Sequence, residues 1–291
     1  MARSRLAGSL LARSVGAGSS AAVATLLRNA RYEVIPTRTI EQKVVESLPK
    51  DVQVTVTASP TKGIETTVEL AERLAGHGFT VVPHLSTRLI RDAGHLAELV
   101  QRCRAAGIRD VFMPAGDADP PAGVYDAALP ALVDLHALGD PFPRVGITGY
   151  PESHPSIDDD VTVQAMWDKR SYASYVVSNL CFDPATISEW VKRVRRRGIA
   201  LPIQIGLAGP VERTKLLSMA SKVGVGQSTK FLTQHASWFA RLAAPGYSPQ
   251  RLLAKVAREV GAGEQGVAGL HIFTFNQVAE TERWRQHLLA N

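Results

Sequence analysis

From Tyr32 onward, short apolar runs alternate with longer stretches in which apolar residues recur at helical spacing, with polar or glycine positions between them. That alternation marks repeated βα units. Eight runs have strand character: 32–36 (YEVIP), 51–57 (DVQVTVT), 80–86 (TVVPHLS), 110–116 (DVFMPAG), 144–150 (RVGITGY), 175–183 (YVVSNLCFD), 201–207 (LPIQIGL) and 269–276 (GLHIFTFN). The helical stretches between them carry start and stop signals. Thr39 to Gln42 reads as a capping box. The stretch from Asp92 to Ala106 runs into Gly107, and the one from Pro184 runs into Gly198, both at the position of a helix stop. Between the seventh and eighth strands the chain is long enough for extra helices, at Glu212–Val223, Thr229–Ala243 and Ser248–Val260, the last opened by Ser248 and Pro249. Eight strands with strict alternation give an α/β fold, a closed (β/α)₈ TIM barrel. An open doubly wound sheet stops nearer five or six strands, and no G-x-G-x-x-G follows the first one. One barrel domain over 31–291, preceded by an extension at 1–30 that is helical or poorly ordered, accounts for the whole chain.

Composition narrows the class of partner. The 291 residues are 45% hydrophobic and 21% charged, a balance suited to one large core, and no apolar run approaches the roughly 20 residues of a transmembrane helix. The net charge of +6 is poorly localised. Its densest patch (Lys192, Arg193, Arg195, Arg196, Arg197) falls in a last helical turn, where basic residues complement the helix dipole. No nucleic-acid module accompanies it, so neither nucleic acid nor a membrane is the expected partner; a small-molecule substrate is, and the general positive potential is a weaker pointer to a polyanionic one. Cys103 and Cys181 lie far apart and lack the neighbours of a metal site, as buried thiols in a reducing compartment do. Met1 to Arg31 holds several arginines and no acid. A cytoplasmic protein, monomer or small homo-oligomer, with an N-terminal extension is expected; an organelle transit peptide is the alternative.

In such barrels the chemistry sits at the C-terminal strand ends. The residues placed there are Glu33, Thr57, His84, Asp117, Tyr150 with Glu152 and His154, Asn179, Gln204 and Asn276. Taken singly, each of these has an ordinary alternative as a helix cap or a solvated loop residue. Glu33 stands apart, because it interrupts an apolar strand and therefore points into the barrel mouth. Desolvation there is expected to leave it protonated at neutral pH, as a general acid requires. Asp117 follows Gly116 at a sharp turn. Two carboxylates converging on one cavity suit an acid plus an electrostatic stabiliser of a developing cation.

The ordered motifs carry a resemblance. YEVIPTRT (32–39) resembles a first-strand signature of an acid, a proline and an Arg-Thr pair. PHLS (83–86) is similar to Pro-His-Leu-Thr, AGD (115–117) to Arg-Gly-Asp, and GYPESHP (149–155) to Tyr-Pro-Glu-x-His-Pro. NLCFD (179–183) resembles Gln-x-Phe-Phe-Asp, and GLHIFTFN (269–276) resembles Phe-His-Phe-Tyr-Thr-Leu-Asn. In this order they resemble the methylenetetrahydrofolate reductase family over roughly Arg31 to Gln277. The resemblance implies an oxidoreductase that converts 5,10-methylenetetrahydrofolate to 5-methyltetrahydrofolate. It makes Glu33 the acid that opens the methylene bridge, and Asp117 the stabiliser of the resulting cation and a pterin ligand. Asn179, Gln204 and Lys215 fall on the substrate side; Thr57, His84, Tyr150, His154 and Lys169 fall on the cofactor side. On the flavin side, the arginine before Gly-Asp is Ala115 and a small Asp-Ala-Gly-Ala stretch has become Ser171 to Ser174 with Tyr172 in it; on the folate side, Asn179 is shorter than glutamine. The expectation is an enzyme that binds FAD weakly or not at all and takes hydride from NADH or NADPH. The alternatives are a folate-binding barrel without catalysis and an FAD-dependent amino-acid dehydrogenase of the proline type.

Overall fold

A computed structural model describes residues 17–152, 159–211, 240, 248–260 and 266–290. In chain order the elements are α1 (Ala17–Arg28), β1 (Arg31–Val34), α2 (Ile40–Ser47), β2 (Gln53–Val56), α3 (Gly63–Gly76), β3 (Val81–Pro83), α4 (Ala93–Ala105), β4 (Asp110–Phe112) and α5 (Ala128–Ala137). They continue as β5 (Arg144–Gly149), α6 (Asp159–Lys169), β6 (Tyr175–Ser178), α7 (Pro184–Arg196), β7 (Ile203–Ala208), α8 (Pro249–Val260), β8 (Val267–Phe273) and α9 (Val278–Leu289). The eight strands form one parallel sheet in the order β3-β2-β1-β8-β7-β6-β5-β4. Its two ends meet through a parallel bridge between His84 and Phe112, with the Leu85 N–H donating to the Phe112 carbonyl at 2.8 Å. The sheet closes as the (β/α)₈ barrel that the strand pattern predicts.

The strands are shorter than their apolar runs. β3 ends at Pro83 and β4 at Phe112, two residues before Pro114; a proline has no N–H to continue a ladder. What reads as the C-terminal half of several strands is therefore loop at the barrel mouth. Gly107 and Gly198 do stop their helices, with φ of 74° and 80°. The capping box at Thr39 does not form: Thr39 makes no side-chain cap bond, and Gln42 Nε2 donates instead to Glu46 Oε1 at 2.7 Å. The expected helices at 212–223 and 229–243 lie outside the described residues, residue 240 apart, whereas Pro249–Val260 is helical. At the N-terminus, α1 packs against β8, α8 and α9, with Leu26 and Leu27 fully buried. Among the described residues no helix is long and apolar enough to cross a membrane.

The barrel interior is polar at two levels. Near the strand starts, Asp110 accepts from Arg31 (3.2 Å), Arg144 (3.0 Å) and the Tyr175 hydroxyl (2.7 Å), and the Arg31 guanidinium lies 4.3 Å from the centre of the Tyr175 ring. This network ties β1, β4, β5 and β6 together. Above it, Val82, Phe112, Tyr175 and Val177 form a small apolar layer. The second polar level lies above that layer.

Candidate active site

Glu33 is the third residue of β1, opposite Thr55 of β2 and Phe273 of β8. Strand alternation turns it inward, as it does His271 of β8, and the two side chains meet with His271 Nε2 3.0 Å from Glu33 Oε2. His84, just beyond β3, joins them; its ring stands edge-on to Phe112 at 4.8 Å and 5.9 Å from the His271 ring. His84 and His271 are buried, and the Glu33 side chain keeps 15% exposure toward the mouth. The chain leaving β1 is held by Asn276, whose carboxamide accepts from the Ile35 N–H at 2.8 Å and donates to the Ile35 carbonyl at 2.9 Å. Thr274 Oγ1 donates to the Glu33 carbonyl at 2.6 Å. Asn276 thus continues the ladder with its side chain and fixes the acid's backbone.

The protonation expected for Glu33 is corrected by this geometry. Burial pushes its carboxyl upward, but the hydrogen bond from His271, with the fields of His271 and His84, outweighs burial and holds it below the ordinary carboxylate range. Glu33 is therefore ionised at neutral pH in the unliganded protein. Burial also pushes His84 down to about 4, so its ring is neutral. Sequence reasoning missed His271, which lies in an aromatic and apolar run. Its signal is the two-residue period of β8, which puts Gly269, His271 and Phe273 on the face that looks at Glu33.

The remaining candidates separate. Thr57 stands one residue past β2, with its N–H donating to the Val34 carbonyl at 3.0 Å. Asp117 is exposed in the β4–α5 loop, after Gly116 at φ 86°, where a side chain would also meet the Ser86 Cβ at 2.9 Å. Tyr150 follows β5. Burial, and to a smaller degree the negative charge of Asp117, raise its hydroxyl above the usual range, against a hydrogen bond with Thr148. Asn179, one residue past β6, accepts at Oδ1 from the Leu180 N–H at 2.8 Å. Glu152 supports that segment by accepting from the Phe182 N–H and the Cys181 thiol, both at 3.4 Å. The fold brings Glu33, Thr57, His84, Asp117, Tyr150 and Asn179 to the C-terminal ends of the strands. His154 and Lys215 lie outside the described residues.

Two placements are corrected. Gln204 is the second residue of β7, not its end. It pairs in register with Gly269, whose Cα side is crowded by the Asn29 backbone, so Gln204 belongs to the end of the barrel where α1 enters. Lys169 is the last residue of α6, about 15 Å along the helix from the loop that leaves β5. No described contact joins it to Glu33, His84 or His271. Burial lowers the Lys169 ammonium from 10.5 to about 8, so folding works against its charge by at most about 3 kcal/mol. Lys169→Met is expected to stabilise the protein in urea unfolding below pH 8, by about 1–3 kcal/mol. Because the folded value lies below the unfolded one, that gain fades as pH rises from 8 toward 10.5.

Residues 37–284 match the model of the methylenetetrahydrofolate reductase family. The chain belongs to that family. Among solved structures, an oxaloacetate acetylhydrolase is similar over 90% of this chain and 82% of its own, with 11% identity and a TM-score of 0.51. A 2,3-dimethylmalate lyase aligns over 83% and 95%, with 10% identity and a TM-score of 0.46. The first of these likenesses speaks for the barrel fold alone. As a member of the methylenetetrahydrofolate reductase family, the chain is a folate-related one-carbon oxidoreductase.

Arg88, in the turn after β3, donates through Nε to the Ala118 carbonyl (2.6 Å) and through Nη1 to the Asp126 carbonyl (3.0 Å). Its N–H bonds the Ala115 carbonyl, and its own carbonyl accepts from Ala122. Arg88 therefore staples the loop that carries Asp117. Arg88→Ala is expected to lower kcat at least about 10-fold, since small misplacements of a catalytic group are costly, with lysine restoring part of it in steady-state assays.

Proposed function

We infer that this chain reduces 5,10-methylenetetrahydrofolate to 5-methyltetrahydrofolate with hydride taken directly from NADH or NADPH. The observation that carries this reading is the Glu33 carboxyl in the barrel mouth, hydrogen-bonded to His271 at 3.0 Å, in a chain of this family. In the proposed sequence, a proton passes from the Glu33–His271 pair to the bridge nitrogen whose bond to the methylene carbon breaks. An iminium cation remains on the other nitrogen. Asp117 offsets that cation's charge and hydrogen-bonds the pterin. The nicotinamide then delivers hydride to the methylene carbon, giving the methyl product and NAD(P)⁺. One proton and one hydride enter, so the reaction balances.

A flavin fits the described residues poorly. Ala115 offers a methyl group where the family carries a guanidinium, and its carbonyl is taken by the Arg88 N–H. The Arg88 guanidinium is engaged with loop carbonyls, and Lys169 closes α6 at the end away from the mouth. Tyr172 does not contribute to this argument: it stands edge-on to His136 of α5 at 5.6 Å, beside the start of β6, and does not lean over the mouth. The reaction is accordingly proposed without a flavin step. The absorbance spectrum of freshly purified protein is expected to lack a flavin band; a stoichiometric one would overturn that part of the reading. The same mouth, without turnover, describes a folate-binding barrel, but a pure binder has no use for an inward acid paired with an imidazole.

A further inference from the structure

Glu33, His84 and His271 leave more ring nitrogens than their mutual contacts use. His84 Nε2 and His271 Nδ1 are buried and have no hydrogen-bond partner among the described residues. One donor atom from each of the three residues lies within 4.8 Å of the other two. An unpartnered polar atom in an apolar setting loses about 1–3 kcal/mol, so something that binds there recovers a real cost.

We propose that these three residues form a site for a borderline divalent cation, Zn²⁺ in chemical class, and that the ion shuts off the enzyme by occupying its acid. Two imidazoles and one carboxylate are the donor set that Zn²⁺ prefers and that Ca²⁺ or Mg²⁺, which seek oxygen, do not. Zn–N and Zn–O bonds of about 2.0–2.2 Å put neighbouring donors of a tetrahedral site about 3.3 Å apart. The 3.0 Å between Glu33 and His271 already suits this, and His84 has to approach by roughly 1.5 Å at most. The fourth position faces the mouth on the exposed side of Glu33, where water would complete the tetrahedron. With its carboxylate on the ion, Glu33 can neither receive nor deliver the proton that opens the folate bridge. The inhibition rests on the functional reading above; the binding does not.

The test begins on the full chain after treatment with chelator, in the absence of folate and nicotinamide. Zn²⁺ is titrated against a chromogenic chelator, and Co²⁺ against the visible spectrum. The expected result is one site per chain with the intense bands of four-coordinate Co²⁺, displaced by Zn²⁺ and weakened at least about 10-fold by His84→Gln or by His271→Gln. The exposed pairs His77–Glu41 and His136–Asp140 are the rival surface sites. Binding that survives both variants, a pale six-coordinate Co²⁺ spectrum, or no stoichiometric uptake would overturn the proposal. If a variant does not fold, the Co²⁺ spectrum of the unaltered chain decides alone. Metal-free turnover that Zn²⁺ fails to suppress would refute the inhibition while leaving the reductase reading intact; stoichiometric binding with no metal-free turnover would do the reverse.

Discussion

Glu33→Gln is expected to lower kcat for folate reduction by about 10²- to 10⁴-fold, the usual worth of a positioned general acid. The folate dissociation constant should move much less. Glutamine keeps the volume of the side chain and can still hydrogen-bond His271 Nε2, so the mouth keeps its shape. What disappears is the exchangeable proton, and with it the route to the iminium cation. Because the interaction is made fully only in the transition state, the loss belongs in kcat and kcat/KM together. Comparable losses in kcat and in folate affinity would instead make Glu33 a binding residue. A protein that binds folate and has no turnover to lose would place the chain among the non-catalytic barrels.

Asp110→Ala is expected to destabilise the protein by about 3–5 kcal/mol in urea unfolding, against which most surface changes are small. Asp110 is 3% exposed and is the common acceptor of Arg31, Arg144 and Tyr175. Removing it leaves the Arg31 guanidinium buried without an anion, stacked over the Tyr175 ring. Arg144 is half exposed and can turn to solvent, so Arg31 carries most of the cost. The double change Asp110→Ala with Arg31→Met should recover a large part of the loss, since an apolar substitute no longer needs a counter-charge. An additive outcome would mean that the network contributes by packing alone.

The barrel was legible because eight apolar runs bounded by polar punctuation demand parallel strands with covering helices. The direction of Glu33 was legible too, since a carboxylate inside a short apolar strand has only the lumen or the helix layer to face. Its protonation was not legible. That depends on His271, some 240 residues away in sequence, and only the closure of β1 against β8 brings the two within 3.0 Å. Gln204 was misplaced for a related reason: the run 201–207 is apolar on both sides of Gln204 and does not reveal that the ladder extends to Ala208, which leaves Gln204 near its start. Asn276 read as a strand-end polar residue, and it proves to hold the Ile35 backbone. A side chain that substitutes for a ladder bond looks in sequence like one that meets a ligand.

The proposed hydride transfer from a reduced nicotinamide to folate-bound carbon, without a flavin, is tested by nicotinamide oxidation, followed by absorbance with 5,10-methylenetetrahydrofolate, on protein whose flavin content has been determined beforehand. Folate-dependent oxidation of NADH or NADPH by flavin-free protein is the predicted result. Turnover that begins only when FAD is added would contradict it and restore a flavin to the mouth of the barrel.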